Sequence, residues 1–244
     1  MDEIRISHVE KSYTTLSTDL VIGGAKRPSR TRKVLQDVNL TFPAGKLSVL
    51  VGRSGCGKST LLKLLAGKEA PDAGEITLPE GWHTALLSPE PYVITWTNVR
   101  QNVAMASGVG RTPEERYEHA MEYVKLVGLE DYADLSPVEL STGMKQRLGL
   151  ARILASQAQL LLMDEPFVGL DPIAAHQLKG IMRELCDEGG AIFFSTHVLE
   201  VAEKLCDKVA IIKGGKLLKS GSMEQVKGDA SLENVFLELE EENV

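Results

Sequence analysis

The sequence has few cysteines, no long apolar stretch and no excess of basic residues. Its three cysteines, Cys56, Cys186 and Cys206, are odd in number and are not spaced like metal ligands, which is typical of a reducing cytosol. The formal net charge of -7 argues against a protein that binds nucleic acid. No apolar run approaches the ~20 residues of a membrane-spanning helix, and the polar first residues do not form a signal peptide. We therefore expect any contact with a membrane to be made through a partner.

Hydrophobic residues make up 43% of the 244 residues and charged residues 25%, which is ordinary for a globular protein with a full core. Residues 34–51 have the pattern of strand, turn and strand. The second strand, over residues 47–51, is apolar except for Ser48, as expected for a strand buried on both faces of a parallel sheet. A glycine-rich turn follows, and then a helix with Leu61, Leu62 and Leu65 on one side.

The character of the sequence changes twice further along the chain. Residues 89–156 are helical in pattern, with helices predicted over 114–127 and 143–155. Sheet character then returns, and Asp171-Pro172 begins a further helix. The strands predicted in this last part are 160–163, 191–195 and 209–212. The sequence thus predicts a mainly parallel α/β domain that carries a helical insertion after its first third.

Residues 52–60 match the pattern of a phosphate-binding loop, placed between a buried strand and a helix. Glycines let successive backbone N–H groups curl round a phosphate chain, and the positive end of the helix dipole adds to the attraction. We expect Lys58 to neutralise the β- and γ-phosphate oxygens of ATP, and the Ser59 hydroxyl to bind Mg²⁺. The residues expected to contact the nucleotide are Gly52, Arg53, Ser54, Gly55, Cys56, Gly57, Lys58, Ser59 and Thr60.

Two acids, Asp164 and Glu165, follow the predicted strand 160–163. Alone this pattern is weak, because strands often end in acids. Downstream of a phosphate loop it gains weight, because the strand would deliver both carboxylates to the edge of the sheet beside that loop. We expect Asp164 to hold Mg²⁺ through a water molecule, and Glu165 to orient or deprotonate the attacking water.

Cys56 lies inside the phosphate loop, near the N-terminus of a helix and near Lys58. Both neighbours favour the thiolate form of a cysteine. One hypothesis is therefore that alkylation of Cys56 blocks ATP binding and that bound Mg-ATP protects the thiol. The alternative is that the side chain points inward and only fills space in the loop.

Residues 140–147 read Leu-Ser-Thr-Gly-Met-Lys-Gln-Arg. This stretch resembles the signature of the ABC ATPase family, Leu-Ser-Gly-Gly-Gln, which opens a helix. Thr142 and Met144 depart from the family's wording, whereas Ser141 and Gly143 match it. Taken without the family's order of motifs, the stretch would be an ordinary capped helix.

The resemblance to ABC ATPases covers essentially the whole chain and implies a fold. That fold is a P-loop NTPase with a RecA-like core and mainly parallel sheet, an N-terminal antiparallel β subdomain and an inserted α-helical subdomain. The chain would then be a single ABC ATPase domain over residues 1–244. Its core and β subdomain would comprise residues 1–88 and 157–244, and its helical subdomain residues 89–156.

The resemblance also implies roles for residues outside the two motifs. Ser141 and Gly143 would contact the γ-phosphate of ATP bound to the opposite protomer of a head-to-tail homodimer that forms with ATP. His197 would contact the γ-phosphate as well, and Tyr13 would stack on adenine. The chain would hydrolyse Mg-ATP in the cytoplasm at the inner face of the cell membrane and drive an integral membrane transporter subunit. A solute-binding protein would be a further partner of an importer.

One position departs from the family. The family usually has a glutamine between the phosphate loop and the helical insertion, where it reaches Mg²⁺ and the attacking water. The corresponding residues 85–92 contain no glutamine. The alignment places Pro89 or a neighbour there, and Ser88 or Glu90 can substitute through a water molecule. The rate of hydrolysis and its coupling to the membrane partner depend on which of these applies.

The two halves of the sequence are similar to different branches of the family. Residues 52–103 look like the ATPases of nitrate, sulfonate and taurine importers, whereas residues 164–172, 195–203 and 231–237 look like those of multidrug and sodium exporters. A natural mosaic and a constructed hybrid are both open, and so is the direction of transport.

The alternative function is that of an ABC ATPase that moves no solute, with a regulatory, DNA-repair or translation role. Such proteins typically carry a coiled coil, a zinc-binding insertion or a second ATPase unit. A third interpretation, an ordinary phosphate-loop kinase, gives no reason for the signature at Ser141 and Gly143.

Residues 26–33 are strongly basic and lie in a long link between the first two predicted strands. A solvated hairpin tip is the simplest interpretation of this run. A contact with lipid headgroups or with an acidic partner surface is the alternative.

Overall fold

The computed structural model describes residues 3–16 and 29–241, which form nine strands and eight α-helices. In chain order these are β1 (Glu3–Leu16), β2 (Ser29–Pro43), β3 (Leu47–Val51), α1 (Lys58–Leu65), β4 (Ala73–Thr77), β5 (Thr84–Leu87), α2 (Val99–Ala104), α3 (Pro113–Leu126), α4 (Thr142–Ala155), β6 (Leu160–Asp164), α5 (Pro172–Asp187), β7 (Ala191–Thr196), α6 (Leu199–Leu205), β8 (Lys208–Lys213), β9 (Lys216–Ser222), α7 (Met223–Lys227) and α8 (Leu232–Glu241). None of the helices in these described parts is long and apolar enough to cross a membrane.

The strands form two sheets. The smaller is antiparallel, in the order β2-β1-β4, and the larger has the order β5-β6-β7-β3-β8-β9. In the larger sheet every neighbouring pair is parallel except β8 and β9, which are antiparallel. Every residue of β3, β6 and β7 is buried, as their mainly apolar sequences predict for strands covered on both faces. The predicted P-loop NTPase fold, with an N-terminal antiparallel sheet, is confirmed.

The order of the large sheet decides where the site lies. Strands β6, β7 and β3 are adjacent and parallel, so their carboxyl ends meet at one edge. Asp164 lies opposite Ser195, and Val51 lies opposite Thr196. The phosphate loop after β3, the acids at the end of β6 and His197 after β7 are therefore brought together, although the first and last are more than a hundred residues apart in sequence.

Helices α2, α3 and α4 fill the stretch between β5 and β6. They pack against one another and share one hydrophobic cluster with the large sheet, in which Val103, Val124 and Leu148 join Val49 and Met163. The predicted helix 114–127 is found over Pro113–Leu126, and the predicted helix 143–155 over Thr142–Ala155. Their positions are set by local signals, since each start has a capping side chain.

Further predicted boundaries are also confirmed. Asp171 is the N-cap of α5, where its carboxylate accepts bonds from the backbone N–H groups of Ile173 and Ala174, and Pro172 is the first helical residue. These two backbone bonds lower the pKa of Asp171, with the bond from Ala174 as the largest cause. Of the basic run, residues 26–28 lie outside the described residues, and residues 29–33 belong to β2.

Candidate active site

The phosphate loop depends on glycines at two left-handed positions. Gly55 has φ of 77° and Gly57 has φ of 114°, a region that side chains rarely adopt. A Cβ on Gly57 would also lie 2.8 Å from a methyl group of Leu35 and 3.0 Å from the Val34 carbonyl oxygen. Gly57 is the residue before α1, so this close approach to β2 fixes the loop at the start of the helix.

Lys58 curls back over the loop. Its side chain is only 8% exposed, and its Nζ donates to the carbonyl oxygen of Gly52 at 2.7 Å and to that of Arg53 at 3.4 Å. The same Nζ lies 3.8 Å from Oε1 of Glu165. A buried ammonium requires such partners, and each of them can be exchanged for a phosphate oxygen when an anion enters.

Glu165 has a backbone conformation that an ordinary residue avoids, with φ of 53°. Its backbone N–H donates to the carbonyl oxygen and to the hydroxyl of Ser195, both at 3.2 Å, which holds the turn after β6 against β7. Its Oε2 lies 3.0 Å from Nδ1 of His197. The carboxylate is thus fixed between Lys58 and His197, and backbone strain of this kind is often found at functional sites.

Asp164 is the last residue of β6 and is 5% exposed. Its Oδ1 accepts a bond from the Ser195 hydroxyl at 2.5 Å. The bond orients this carboxylate toward the cleft that Ser59 also lines. A carboxylate and a hydroxyl are hard oxygen ligands of the kind that Mg²⁺ prefers, so these two residues fit the metal that accompanies a nucleotide.

A cleft of about 560 Å³ opens at this edge of the sheet. It brings together nine of the predicted site residues, and it is also lined by Pro89 and by two residues of β2 that the motifs did not indicate, Arg32 and Val34. His197 is the one of the nine that lies outside the two motifs. The nine are Ser54, Gly55, Gly57, Lys58, Ser59, Thr60, Asp164, Glu165 and His197.

Gly52 and Arg53 belong to the loop but take part through their backbone. Both supply carbonyl oxygens to Lys58, and the Arg53 guanidinium points away, 3.8 Å from the Glu240 carboxylate of α8. A Cβ on Gly52 would lie 2.4 Å from the Ile212 carbonyl oxygen, so this glycine is required by the contact with β8.

The structure supports the second of the two interpretations of Cys56, a side chain that points inward. The side chain is 8% exposed and belongs to the hydrophobic cluster of α1 and the strands beneath it. Burial raises the pKa of Cys56, and the nearby Lys58 ammonium lowers it by less. The inward-pointing alternative applies: Cys56 is a small core residue within the loop. The sequence could not show this, because the direction of a loop side chain depends on what packs beneath it.

Tyr13 lies beside the cleft and has partners of its own. Its hydroxyl donates to the Glu69 carboxylate, and its ring lies 5.6 Å from Nζ of Lys11. Burial, followed by the bond to Glu69, raises the pKa of Tyr13. Its stacking on adenine stays a prediction.

Ser141 and Gly143 lie at the start of α4. Ser141 is the N-cap and its hydroxyl accepts a bond from the Met144 N–H at 3.3 Å. A Cβ on Gly143 would lie 2.9 Å from the Gly169 carbonyl oxygen, so this turn packs closely against the loop after β6. Among the described residues, neither of the two belongs to the lining of the cleft. Their contact with a phosphate therefore stays a prediction, and it is one that requires a second chain.

Pro89 is the residue of the glutamine-free segment that lines the cleft. Its carbonyl oxygen accepts a bond of 2.6 Å from Nε2 of Gln146 on α4. Gln146 is 5% exposed, and its Oε1 is buried without a partner in the described part of the chain. Ser88 lines a different groove, between the sheet and the insertion. Sequence reasoning missed Gln146, because a contact across 57 residues leaves no local signal.

The chain is similar to several known proteins. The family model described as ABC transporter matches residues 35–168. The aliphatic sulfonates import ATP-binding protein of Granulibacter bethesdensis is 36% identical over 211 residues, which cover 84% of this chain and 86% of that protein. The taurine import ATP-binding protein of Pseudomonas aeruginosa is 34% identical over 209 residues, covering 82% and 79%. A solved structure of an ATP-binding subunit of an ABC transporter superposes with a TM-score of 0.82 at 25% identity and covers 97% of this chain and 99% of that one.

Proposed function

This chain belongs to the ABC transporter family, and from that premise we propose that it binds and hydrolyses Mg-ATP to drive a separate membrane subunit. One observation carries the proposal. The Glu165 carboxylate is held between Lys58 and His197 in the same cleft as the phosphate loop. A cation for the phosphates and a carboxylate that can position water, both at the carboxyl edge of parallel strands, suit the hydrolysis of a phosphoanhydride.

The residues of the cleft divide the chemical work. Bound Mg-ATP supplies the phosphoanhydride bond, and Ser59 and Asp164 would hold the metal. Lys58 exchanges Oε1 of Glu165, now 3.8 Å away, for phosphate oxygens. That exchange frees the Glu165 carboxylate to accept a proton from water, a role that positioning by a second group strengthens. His197 Nδ1 keeps Oε2 of Glu165 in place at 3.0 Å.

The protein would act as a homodimer that forms with ATP. Support comes from the start of α4, where Ser141 and Gly143 lie outside the cleft of their own chain. In a head-to-tail pair each signature turn would cover the phosphates bound by the other chain, and the contact would occur twice by symmetry. Residues 89–156 would form the helical subdomain that carries this turn.

The relatives favour import as the direction of transport, since they are named for the import of sulfonates and taurine. The segments at 164–172, 195–203 and 231–237 are similar to exporter ATPases and favour export. A membrane subunit co-purified with the chain and reconstituted in vesicles decides between the two when ATP is supplied on one side only. An importer would also need a solute-binding protein. Co-purification with DNA or ribosomes instead would support the function without transport.

The substitution Glu165→Gln tests the proposal. It keeps the shape of the side chain and removes its capacity to accept a proton. We expect Mg-ATP to bind with unchanged affinity and steady-state turnover to fall at least ~100-fold, the usual range for loss of a general base. Glu118→Gln on the exposed face of α3 is the matched control. Normal turnover of Glu165→Gln would remove this residue from the mechanism.

A further inference from the structure

One wall of the cleft comes from β2, which carries none of the sequence motifs. Arg32 and Val34 of this strand line the cleft together with Gly55 and Lys58 of the phosphate loop. Arg32 also belongs to the basic run 26–33. From its sequence alone, this run is interpreted as a solvated hairpin tip or as a contact with lipid headgroups or an acidic partner surface. The described end of that run therefore places a cation at the nucleotide cleft.

The register of the first hairpin explains why Arg32 faces this way. Arg32 lies directly opposite Tyr13 in the antiparallel pair, and Lys33 lies opposite Ser12. Successive residues of a strand point to opposite faces of the sheet. Lys33 is accordingly found on the other side, with its Nζ 4.0 Å from the Glu10 carboxylate. Of these two adjacent cations, Arg32 is the one that reaches the cleft.

The recorded partner of the Arg32 guanidinium is weak. Its Nη2 donates to the carbonyl oxygen of Gly55 at 3.4 Å, and the side chain is exposed. Bonds between a guanidinium and a phosphate are shorter and about twice as strong as neutral bonds, and the planar fork fits two oxygens at once. A phosphate chain in the cleft is therefore a better partner than the carbonyl that Arg32 now contacts.

The charges of the cleft also favour a contact between Arg32 and a phosphate chain. Asp164 and Glu165 place two carboxylates near the site of a polyanion, and Lys58 is the buried cation that faces them. A second cation on the opposite wall reduces the repulsion that an entering nucleotide meets. We propose that Arg32 is a nucleotide-binding residue whose guanidinium binds the phosphate chain from the β2 side; this inference rests on the proposed ATP-binding function.

Equilibrium binding to the full chain tests this assignment with two matched substitutions, Arg32→Gln and Lys33→Gln. Each removes one positive charge from the same strand, but only Arg32 lines the cleft. We expect Arg32→Gln to bind Mg-ATP and tripolyphosphate about 10-fold more weakly, as loss of a charge-assisted bond predicts, with a shallower dependence on salt. The affinity of Lys33→Gln should stay within about 2-fold of that of the unaltered protein, because salt screens exposed surface charges. Arg32→Lys should recover part of the affinity.

Thermal unfolding of each variant confirms that it is folded before binding is measured. Unchanged affinity of folded Arg32→Gln would overturn the assignment, and so would an equal loss in Lys33→Gln, which would indicate only the general field of the basic run. A loss for Mg-ATP without a loss for tripolyphosphate would move the contact to the base or sugar and contradict a phosphate contact. Lys58→Ala, measured in parallel, distinguishes a failure of the Arg32 assignment from a failure of the proposed ATP site. If only Lys58→Ala weakens binding, the role of Arg32 fails and the ATP site stands; if neither variant weakens binding, the proposed ATP site fails.

Discussion

The cleft and the start of α4 differ in how complete they are within one chain. The phosphate loop, Glu165 and His197 follow three adjacent strands and line one cleft. Ser141 and Gly143 lie on the insertion, outside that cleft. Parallel strands gather residues at one edge whatever their separation in sequence, whereas a turn on an insertion needs a second surface to act upon. We infer that one protomer supplies the cation and the base, and that its partner supplies the cover over the phosphates.

Gln146 links the two regions, and its substitution is expected to have a larger effect than changes at Pro89 or Cys56. Gln146→Met keeps the length of the side chain but removes the 2.6 Å bond to the Pro89 carbonyl oxygen. We expect turnover to fall roughly 10-fold, because a misplaced segment beside the reacting groups is costly. Unfolding should become easier by about 1 kcal/mol, as for one lost hydrogen bond. Steady-state kinetics measures the turnover, and denaturant unfolding of the isolated chain measures the stability.

Gln159→Met is the matched control for this link. Gln159 also bonds backbone groups, accepting from the His83 N–H and donating to the Gln157 carbonyl oxygen, but it precedes β6, at the end of that strand opposite the cleft. Its substitution should lower stability without a comparable loss of turnover. Equal turnover losses in the two variants would show that Gln146 acts through stability alone, and the two regions would then be independent.

Pro89 sharpens the comparison on the side of the cleft. Pro89→Gln restores the amide that the family usually has there, and the carbonyl oxygen bonded to Gln146 is retained. We expect turnover to rise about 3-fold, because an added polar group aids placement of the attacking water. Pro91→Gln, in the neighbouring groove rather than the cleft, should not raise it. A fall in turnover with Pro89→Gln would mean that the fixed backbone of proline matters more than the missing amide.

Alkylation of Cys56 is expected to have the smallest effect, and it tests whether this side chain is buried beneath the loop. Burial raises the pKa of this thiol, so near neutral pH it stays protonated and slow to react. The alkylation rate should rise only as the pH exceeds the ordinary pKa of a cysteine, and the folded protein should keep its ATP affinity after brief treatment at neutral pH. Mass spectrometry of the loop peptide measures the rate. Rapid modification at neutral pH would contradict the buried orientation.

The sequence predicted those parts of the protein that local patterns encode. The glycines at 55 and 57, the apolar strand before Asp164 and the Asp171 cap each have a short-range physical cause, and each is found where predicted. The four central strands of the large sheet were predicted from their mainly apolar sequences, whereas its two edge strands, β5 and β9, were not. The strand order then placed His197 beside Glu165 without any signal at that histidine itself.

What the sequence could not predict depends on contacts between distant segments. Arg32 reaches the cleft because of the register of a hairpin, and its neighbour Lys33 does not. Cys56 points inward because of the strands packed under the loop. Gln146 meets Pro89 through the packing of α4 against the segment after β5. In each case the residue type is compatible with several environments, and only the tertiary structure selects one.

The most direct test of the shared site mixes two inactive proteins. Lys58→Ala removes the phosphate cation from both sites of a dimer, and Ser141→Arg fills the place where the γ-phosphate must dock in both. A heterodimer of the two has one intact site and one doubly altered site. Random pairing makes about half the dimers mixed, so roughly a quarter of all sites are intact by symmetry.

ATP hydrolysis measured on the mixture across a range of protein concentrations gives the answer. The shared site predicts that activity absent from each protein alone reappears on mixing and rises steeply with concentration, as mass action on a dimer requires. No recovery despite a heterodimer demonstrated by differently tagged chains, or full activity of Ser141→Arg by itself, would contradict it.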